Sequence, residues 1–215
     1  MLTIVGATVV VALAAAALTG WIRRVAETES RWLRSALHVP LAGLGAAGAA
    51  VTARGWAELL AWCALALAAA LLVVIDLAAY RLPDVIVGPM YPILFVLLAA
   101  AAATSGDWGR LGRAALAGLI VITVYFVLAL IAPSGLGLGD VKLSGLLGAF
   151  LGWFGWPHVV LGVLAGFALN AVVALTLLAV TRLTRHGAVP FGPCMMAGAV
   201  VGAVWGLVVF PGIGG

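Results

Sequence analysis

Apolar runs long enough to cross a bilayer recur from one end of this chain to the other and leave little sequence for anything else. A run of about 18 or more apolar residues spans a hydrocarbon core about 30 Å thick. Grouping the runs gives eight spans, at approximately 2–22, 36–53, 56–75, 85–104, 114–133, 141–156, 158–181 and 193–211. Two thirds of the 215 residues are apolar and 8% are charged, whereas soluble domains carry about 25% charged residues and at most about 50% apolar ones. The bilayer is therefore the main solvent. The fold class that follows is all-α: a polytopic transmembrane helical bundle of about eight spans, forming a single integral-membrane domain over residues 1–215. A missed or re-entrant span at the short second or sixth break would lower the count to six or seven.

The breaks have identifiable causes. Charged stretches separate the first two spans (Arg23 to Arg34), the fourth and fifth (Asp107, Arg110, Arg113) and the seventh and eighth (Arg182, Arg185). Arg54 and Glu58 mark the second break, Asp76 to Asp84 the third, a glycine-rich segment the fifth and Pro157 the sixth. The first run has no basic residue before it, so it reads as a retained helix and not as a secretory signal. The two cysteines, Cys63 and Cys194, lie far apart inside apolar runs and show no CxxC spacing, which makes them packing residues.

The formal charge of +4 marks cytoplasmic loops and acidic headgroups as its counterparts, not nucleic acid. Odd-numbered loops hold Arg23, Arg24, Arg31, Arg34, Arg81, Lys142, Arg182 and Arg185; even-numbered loops hold only Arg54, Arg110 and Arg113. That asymmetry predicts cytoplasmic odd loops and both termini outside. Tryptophans near span ends (Trp21, Trp56, Trp153, Trp156) read as interfacial anchors, and His38, His158 and His186, lacking metal-ligand spacing, as interfacial residues.

With only seven acidic residues, each can be weighed. Glu27, Glu29, Glu58 and Asp107 lie in loops among arginines and read as solvated surface charges. Asp76 ends the apolar run Leu65 to Ile75, and Asp140 closes Gly135-Leu-Gly137-Leu-Gly139-Asp140. The loop count puts both on the cytoplasmic side at one membrane depth. Ionisable residues at such positions are costly enough to suggest function, although Asp140 alone is equally a helix cap and Asp76 alone a snorkelling interfacial charge. The neighbouring Gly-x-Gly-x-Gly offers a place where an extended peptide backbone could approach a carboxylate. It is either that or a flexible connection; a dinucleotide fingerprint is excluded because no strand precedes it.

Gly137-Leu138-Gly139-Asp140, followed by Val141-Lys142-Leu143, resembles the GxGD motif of the type IV prepilin peptidases. The segment from Asp76 to Pro83-Asp84 resembles that family's first aspartate motif, and Val189-Pro190-Phe191-Gly192-Pro193 its C-terminal proline-glycine signature. The three stand in the family's order. The resemblance implies a membrane aspartyl endopeptidase with Asp76 and Asp140 as catalytic pair, and cleavage of short basic leaders from prepilins or pseudopilins at the cytoplasmic face of the cell membrane. Pro83, Asp84, Gly137, Gly139, Lys142, Pro190, Gly192 and Pro193 are then supporting or substrate-binding residues, and no cofactor or metal is called for.

Larger members of that family carry paired CxxC motifs in an N-terminal cytoplasmic segment and also N-methylate the new terminus; here Arg23 to Ser35 is short and has no cysteine, so a short, peptidase-only form is expected. A reading from another class is a small proton- or cation-coupled carrier that uses the same two aspartates.

Two nearby carboxylates cannot both ionise easily, so one would activate water while the other donates a proton to the scissile carbonyl. A helix N-terminus at Asp140 and a C-terminus at Asp76 would make Asp140 the base. Lys142, the single lysine, is either an inside-positive anchor or a residue that tunes the aspartates.

Overall fold

The computed structural model describes residues 1–28, 30–132, 135–181 and 190–212. Among them the regular structure is entirely helical, as lipid requires of a backbone that must satisfy its own polar groups. The chain divides into two compact units, Met1–Trp108 and Gly109–Gly215. The first holds α1 (Leu2–Ala17), α2 (Thr19–Ala26), α3 (Arg31–Arg34), α4 (His38–Thr52), α5 (Trp56–Ala79) and α6 (Asp84–Ser105). The second is built from α7 (Trp108–Ile131), α8 (Leu138–Phe154), α9 (Trp156–Thr181) and α10 (Gly192–Val209).

Each of the eight apolar runs holds a helix, and the protein is a polytopic helical membrane protein, but the span count falls below eight. Five helices, α5, α6, α7, α9 and α10, are long and apolar enough to cross, and a sixth results if α1 and α2, bent by 49° at Leu18, count as one. Helix α4 has 15 residues and α8 has 17; at about 1.5 Å per residue they reach only about 22 and 25 Å, short of a core about 30 Å thick. For α4 the helix is shorter than its apolar run at 36–53, whereas the run behind α8, at 141–156, is itself too short for a span. The alternation of loops that assigned both termini to the outside rested on eight crossings and loses that support.

In the first unit, Val11 and Ala15 of α1, Ala42 and Ala46 of α4 and Ala70 of α5 form a buried cluster of small side chains. Gly45 lets α4 approach α5 so closely that an added β-carbon would lie 2.7 Å from that of Ala66. His38, the first residue of α4, is fully buried and hydrogen-bonds through Nε2 to the Thr19 hydroxyl at 2.9 Å, tying α4 to the bend after α1. His158 is buried too. Both histidines therefore depart from the interfacial expectation, because each found a polar partner inside the bundle; His186 lies outside the described residues. Glu58 is likewise no surface charge. It is 4% exposed, and its carboxylate accepts the Arg54 backbone N–H at 2.8 Å at the start of α5.

The second unit is an up-and-down arrangement held by small residues. On α7 and α8, Gly118 faces Gly145 and Ala149, while Gly148 faces Ala117 and Val121. Gly155, at φ +147°, is the single residue between α8 and α9, a conformation that L side chains rarely adopt. Pro157 is thus not the break itself; it sits in the first turn of α9, where its missing N–H costs nothing. On α9 and α10, Gly162 and Gly166 meet Gly198 and Gly202, and His158 Nδ1–H donates to the Gly202 carbonyl at 2.8 Å. Such backbone contact replaces the hydrophobic drive that lipid removes.

The C-terminus of α8 is closed by cations. Arg113 donates to the carbonyls of Gly152 (2.8 Å) and Trp153 (3.1 Å), and Arg110 donates to Trp153 at 3.3 Å with its guanidinium 4.4 Å from that indole ring. Both arginines serve carbonyls that helix geometry leaves unpaired. Trp153, expected as an interfacial anchor, is consequently fully buried.

A β-carbon at Gly202 would lie 2.6 Å from both the Gly162 Cα and the His158 carbonyl oxygen, and neither backbone atom can rotate away. Gly202→Ala is expected to lower the melting temperature in detergent by an amount corresponding to about 1–3 kcal/mol. Gly6→Ala, where nothing lies within 4 Å of the added carbon, should leave it unchanged or raise it; equal melting of the two variants would remove the role given to this contact.

Candidate functional site

Asp76 lies in the last turn of α5, and its carbonyl accepts the N–H of Tyr80, the left-handed residue at φ 52° that stops the helix. Its side chain is 4% exposed. A snorkelling carboxylate would reach water, so that alternative for Asp76 does not hold. A carboxylate in the last turn also meets the unfavourable end of the helix dipole.

The chain then turns through Arg81, whose guanidinium donates to the Val25 carbonyl at 2.9 Å and to Glu27 at 3.1 Å. This fastens the α5–α6 connection to the end of α2. The ion pair is largely exposed and contributes at most about 1 kcal/mol, but it fixes the path of the segment. Pro83 is the N-cap of α6, with its carbonyl accepting from Ile86 and Val87, and Asp84 is the exposed first residue of that helix. Asp84 thus has the position of a charge complementing a helix N-terminus.

In the second unit, α8 begins before the apolar run does. Gly137 is the N-cap, Leu138 and Gly139 open the first turn, and Asp140 is the third helical residue. Asp140 is therefore not the N-cap itself. Its Oδ2 accepts the Gly137 backbone N–H at 3.2 Å, the side-chain half of a capping box. Gly137 has an ordinary extended backbone (φ −75°, ψ 150°), so its missing side chain matters more than its flexibility. A β-carbon there would lie 3.3 Å from Asp140 Oδ2, crowding the carboxylate.

Asp140 is half-buried, and burial pushes its carboxyl above the ordinary carboxylate range, while the Gly137 N–H pulls the other way and is the weaker influence. The dipole argument that made Asp140 the base thus meets an opposing desolvation. Lys142 is exposed and two residues further on, a spacing that places it on another side of the helix.

Pro190, Gly192 and Pro193 surround the start of α10, with Gly192 buried and Pro193 in the first turn, where a proline is tolerated. Between them stands Phe191, part of the C-terminal signature though not among its expected site residues. It is buried and its ring lies 6.1 Å from Tyr125 of α7 and 5.3 Å from Phe167 of α9; Tyr125 and Phe167 are 5.2 Å apart. Tyr125 is 2% exposed. The start of α10 is thus packed against α7 and α9 through an aromatic cluster in which Tyr125 and Phe167 carry no signature in sequence. Asp76, Pro83 and Asp84 belong to the first unit, and the other motif residues to the second. Among the described residues no group of three His, Cys, Asp or Glu side chains is arranged to hold a metal ion.

Residues 60–178 match the model of the type IV leader peptidase family, an interval that includes Asp76 and Asp140 and stops before Pro190. The prepilin leader peptidase/N-methyltransferase of Aeromonas hydrophila is 32% identical over 174 residues, covering 76% of this chain and 55% of that protein. The proteins of that name in Pseudomonas putida and Stutzerimonas stutzeri are 38% identical over 85 residues and 29% over 152, covering 39% and 69% of this chain. The chain spans about half the length, or less, of these relatives. No solved structure matches it.

Gly137→Ala keeps the N–H that Asp140 uses and adds only the crowding carbon. Site-resolved titration of Asp140, by its carboxyl infrared band or carbon resonance, should show protonation at higher pH in this variant than in the wild type. A titration at or below the wild-type position would contradict the space-clearing role of Gly137.

Proposed function

The chain belongs to the type IV leader peptidase family, and from that premise we propose that it is an aspartyl endopeptidase of the cell membrane that removes short basic leaders from prepilins or pseudopilins. The observation that carries the reading is the pair Asp76 and Asp140. Both fall inside the matched interval, and both occupy helix termini in an otherwise apolar chain. An aspartate 4% exposed near the end of an apolar helix is costly to keep without a task.

In this proposal the two carboxylates share the work. One, ionised, takes a proton from the attacking water; the other, protonated, donates to the scissile carbonyl as the tetrahedral species forms. The division between them is a property of the coupled pair. The raised carboxyl of Asp140 favours it as proton donor, and its place at a helix N-terminus favours it as base. Residues 1–215 work as one peptidase domain. Pro83 and Asp84 shape the first motif; Gly137 and Gly139 leave room beside Asp140 for an extended peptide; Lys142, Pro190, Gly192 and Pro193 border the substrate's path. In this reading the site faces the cytoplasm, with Arg81 after Asp76 and Lys142 after Asp140 among the basic residues that accumulate on that side.

The proposal is confined to the peptidase activity; Cys63 and Cys194 sit within α5 and α10.

In detergent, Asp76→Asn and Asp140→Asn should each reduce cleavage of a prepilin by at least about a thousandfold, in the range of losses seen when one member of a catalytic unit is removed. Lys142→Arg should retain cleavage if the lysine is an anchor and lose it if the ammonium touches the aspartates or substrate. Wild-type cleavage by both Asn variants would overturn the peptidase reading and leave the carrier reading standing.

A further inference from the structure

A groove of about 320 Å³ lies in the first unit, among the α1–α2 bend, α5 and α6. The proposed mechanism makes no use of it. None of the side chains that line it is charged. Room arises where α5 presents Ala64 and Ala68, one turn apart, instead of larger residues. Leu71, Ile86 and Met90 are buried at the groove, whereas Val85 and Ile93 are about half exposed and form its open side. Its volume falls within the range of small-molecule sites, about 300–1,000 Å³.

The third wall, Leu18 and Trp21, is fixed from behind. The Thr19 hydroxyl donates to the Ala16 carbonyl at 2.7 Å and bonds to Nε2 of the buried His38 at 2.9 Å. These bonds hold the 49° angle between α1 and α2. A site shaped before its ligand arrives loses little on binding. Val85 and Ile93 stand eight residues apart on α6, so the groove extends about 12 Å along that helix, from beside the α5–α6 connection into the apolar stretch.

At the connection the surroundings turn basic. Arg81 donates to the Val25 carbonyl at 2.9 Å, which sets the end of α2 beside the α5–α6 connection. Arg24 lies one turn beyond Trp21 on the same face of α2, and its Nε reaches back to the Gly20 carbonyl at 3.4 Å, toward the groove. Arg23 precedes it, and Arg31 and Arg34 follow on α3, which packs against α5. The acidic residues described at this end are Glu27, paired with Arg81, Asp84 at the start of α6 and the buried Asp76. Neither Arg23 nor Arg24 forms an ion pair among the described residues. A short helix with a tryptophan and exposed arginines has the composition of one that lies at a membrane surface.

We infer that this groove binds one anionic phospholipid of the bilayer, with an acyl chain along Ala64 and Ala68 and the phosphate at Arg24. Charge selects the occupant. Basic pockets beside membrane helices hold acidic headgroups, and the groove supplies the apolar half of the same molecule. The basic leader of a prepilin would be repelled by the arginines at this end. A zwitterionic lipid fills the groove as well but gains less from the arginines. The bound lipid braces α6 from Val85 onward, directly after Pro83 and Asp84. The site stands independently of the peptidase reading.

The test uses the full chain in phosphatidylcholine bilayers, titrated with phosphatidylglycerol brominated in its acyl chains, which quenches tryptophan on contact. The quenching that belongs to Trp21, taken as the difference from Trp21→Phe, should saturate. Its half-point should lie at least about fivefold below that of brominated phosphatidylcholine, the worth of one arginine near an acidic headgroup. Arg24→Gln should remove this preference, and Ala64→Phe, which fills the groove, should abolish the saturable quenching by either lipid. Melting temperatures in phosphatidylcholine alone show that each variant is folded; Arg24→Gln, at an exposed position, decides the matter should Ala64→Phe not fold. Equal half-points for the two lipids overturn the proposal, as does an Arg24→Gln protein that keeps the wild-type preference. Release of the brominated lipid by a prepilin also overturns it, because the groove then belongs to the substrate.

Discussion

Helices in lipid gain nothing from hiding apolar side chains from one another, and the second unit answers this with backbone contact. Gly198 on α10 approaches the backbone of Gly166 on α9, and one and two turns further along α10 Gly202 and Gly206 meet Gly162 and His158. At those distances dispersion between main chains and the hydrogen bond from His158 to the Gly202 carbonyl take the place of a hydrophobic core. The α7–α8 pair repeats the device through Gly118, Gly145 and Gly148. Placement of the large residues follows from it: once backbones touch, bulky side chains have room only where no glycine is, and Tyr125, Phe167 and Phe191 gather in such a place.

Charge is confined to helix ends, where the backbone itself can receive it. Arg110 and Arg113 meet the free carbonyls at the end of α8, and Asp140 meets the free N–H groups at its beginning. Glu58 does the same at the start of α5. Asp76 is differently placed: its carboxyl lies at the carbonyl end of a helix and is buried there. A residue placed against the local electrostatic rule, in a chain that otherwise obeys it, is where function is expected to override stability.

Much of this was legible in the sequence. The length and purity of the apolar runs gave the helical membrane class, and the position of Asp76 at the end of one run and Asp140 at the start of another corresponds to the helix termini observed. The three ordered motifs led to the family that residues 60–178 match. What was not legible depended on geometry. The span count was too high because α4 and α8 stop short of a bilayer's thickness; only for α4 was this hidden, since the run at 141–156 is itself short. Glu58, His38 and His158 looked like surface or interfacial residues until the atoms that satisfy them were visible. Phe191 was marked only by its place within the proline-glycine signature and Tyr125 by nothing, because an isolated aromatic in an apolar run is indistinguishable from packing until its neighbours are known.

The shortness of α8 has a consequence for water. Its C-terminal end is pinned twice, by two arginines and by the single residue Gly155 that joins it to α9. Were α8 to lie across the bilayer, a helix of about 25 Å would fall short of a core of about 30 Å, and lipid would have to thin or water enter at one of its ends. The end that carries Gly137, Gly139 and Asp140 has small side chains and little apolar cover, so a water molecule would reach that end more easily than the one closed by the two arginines.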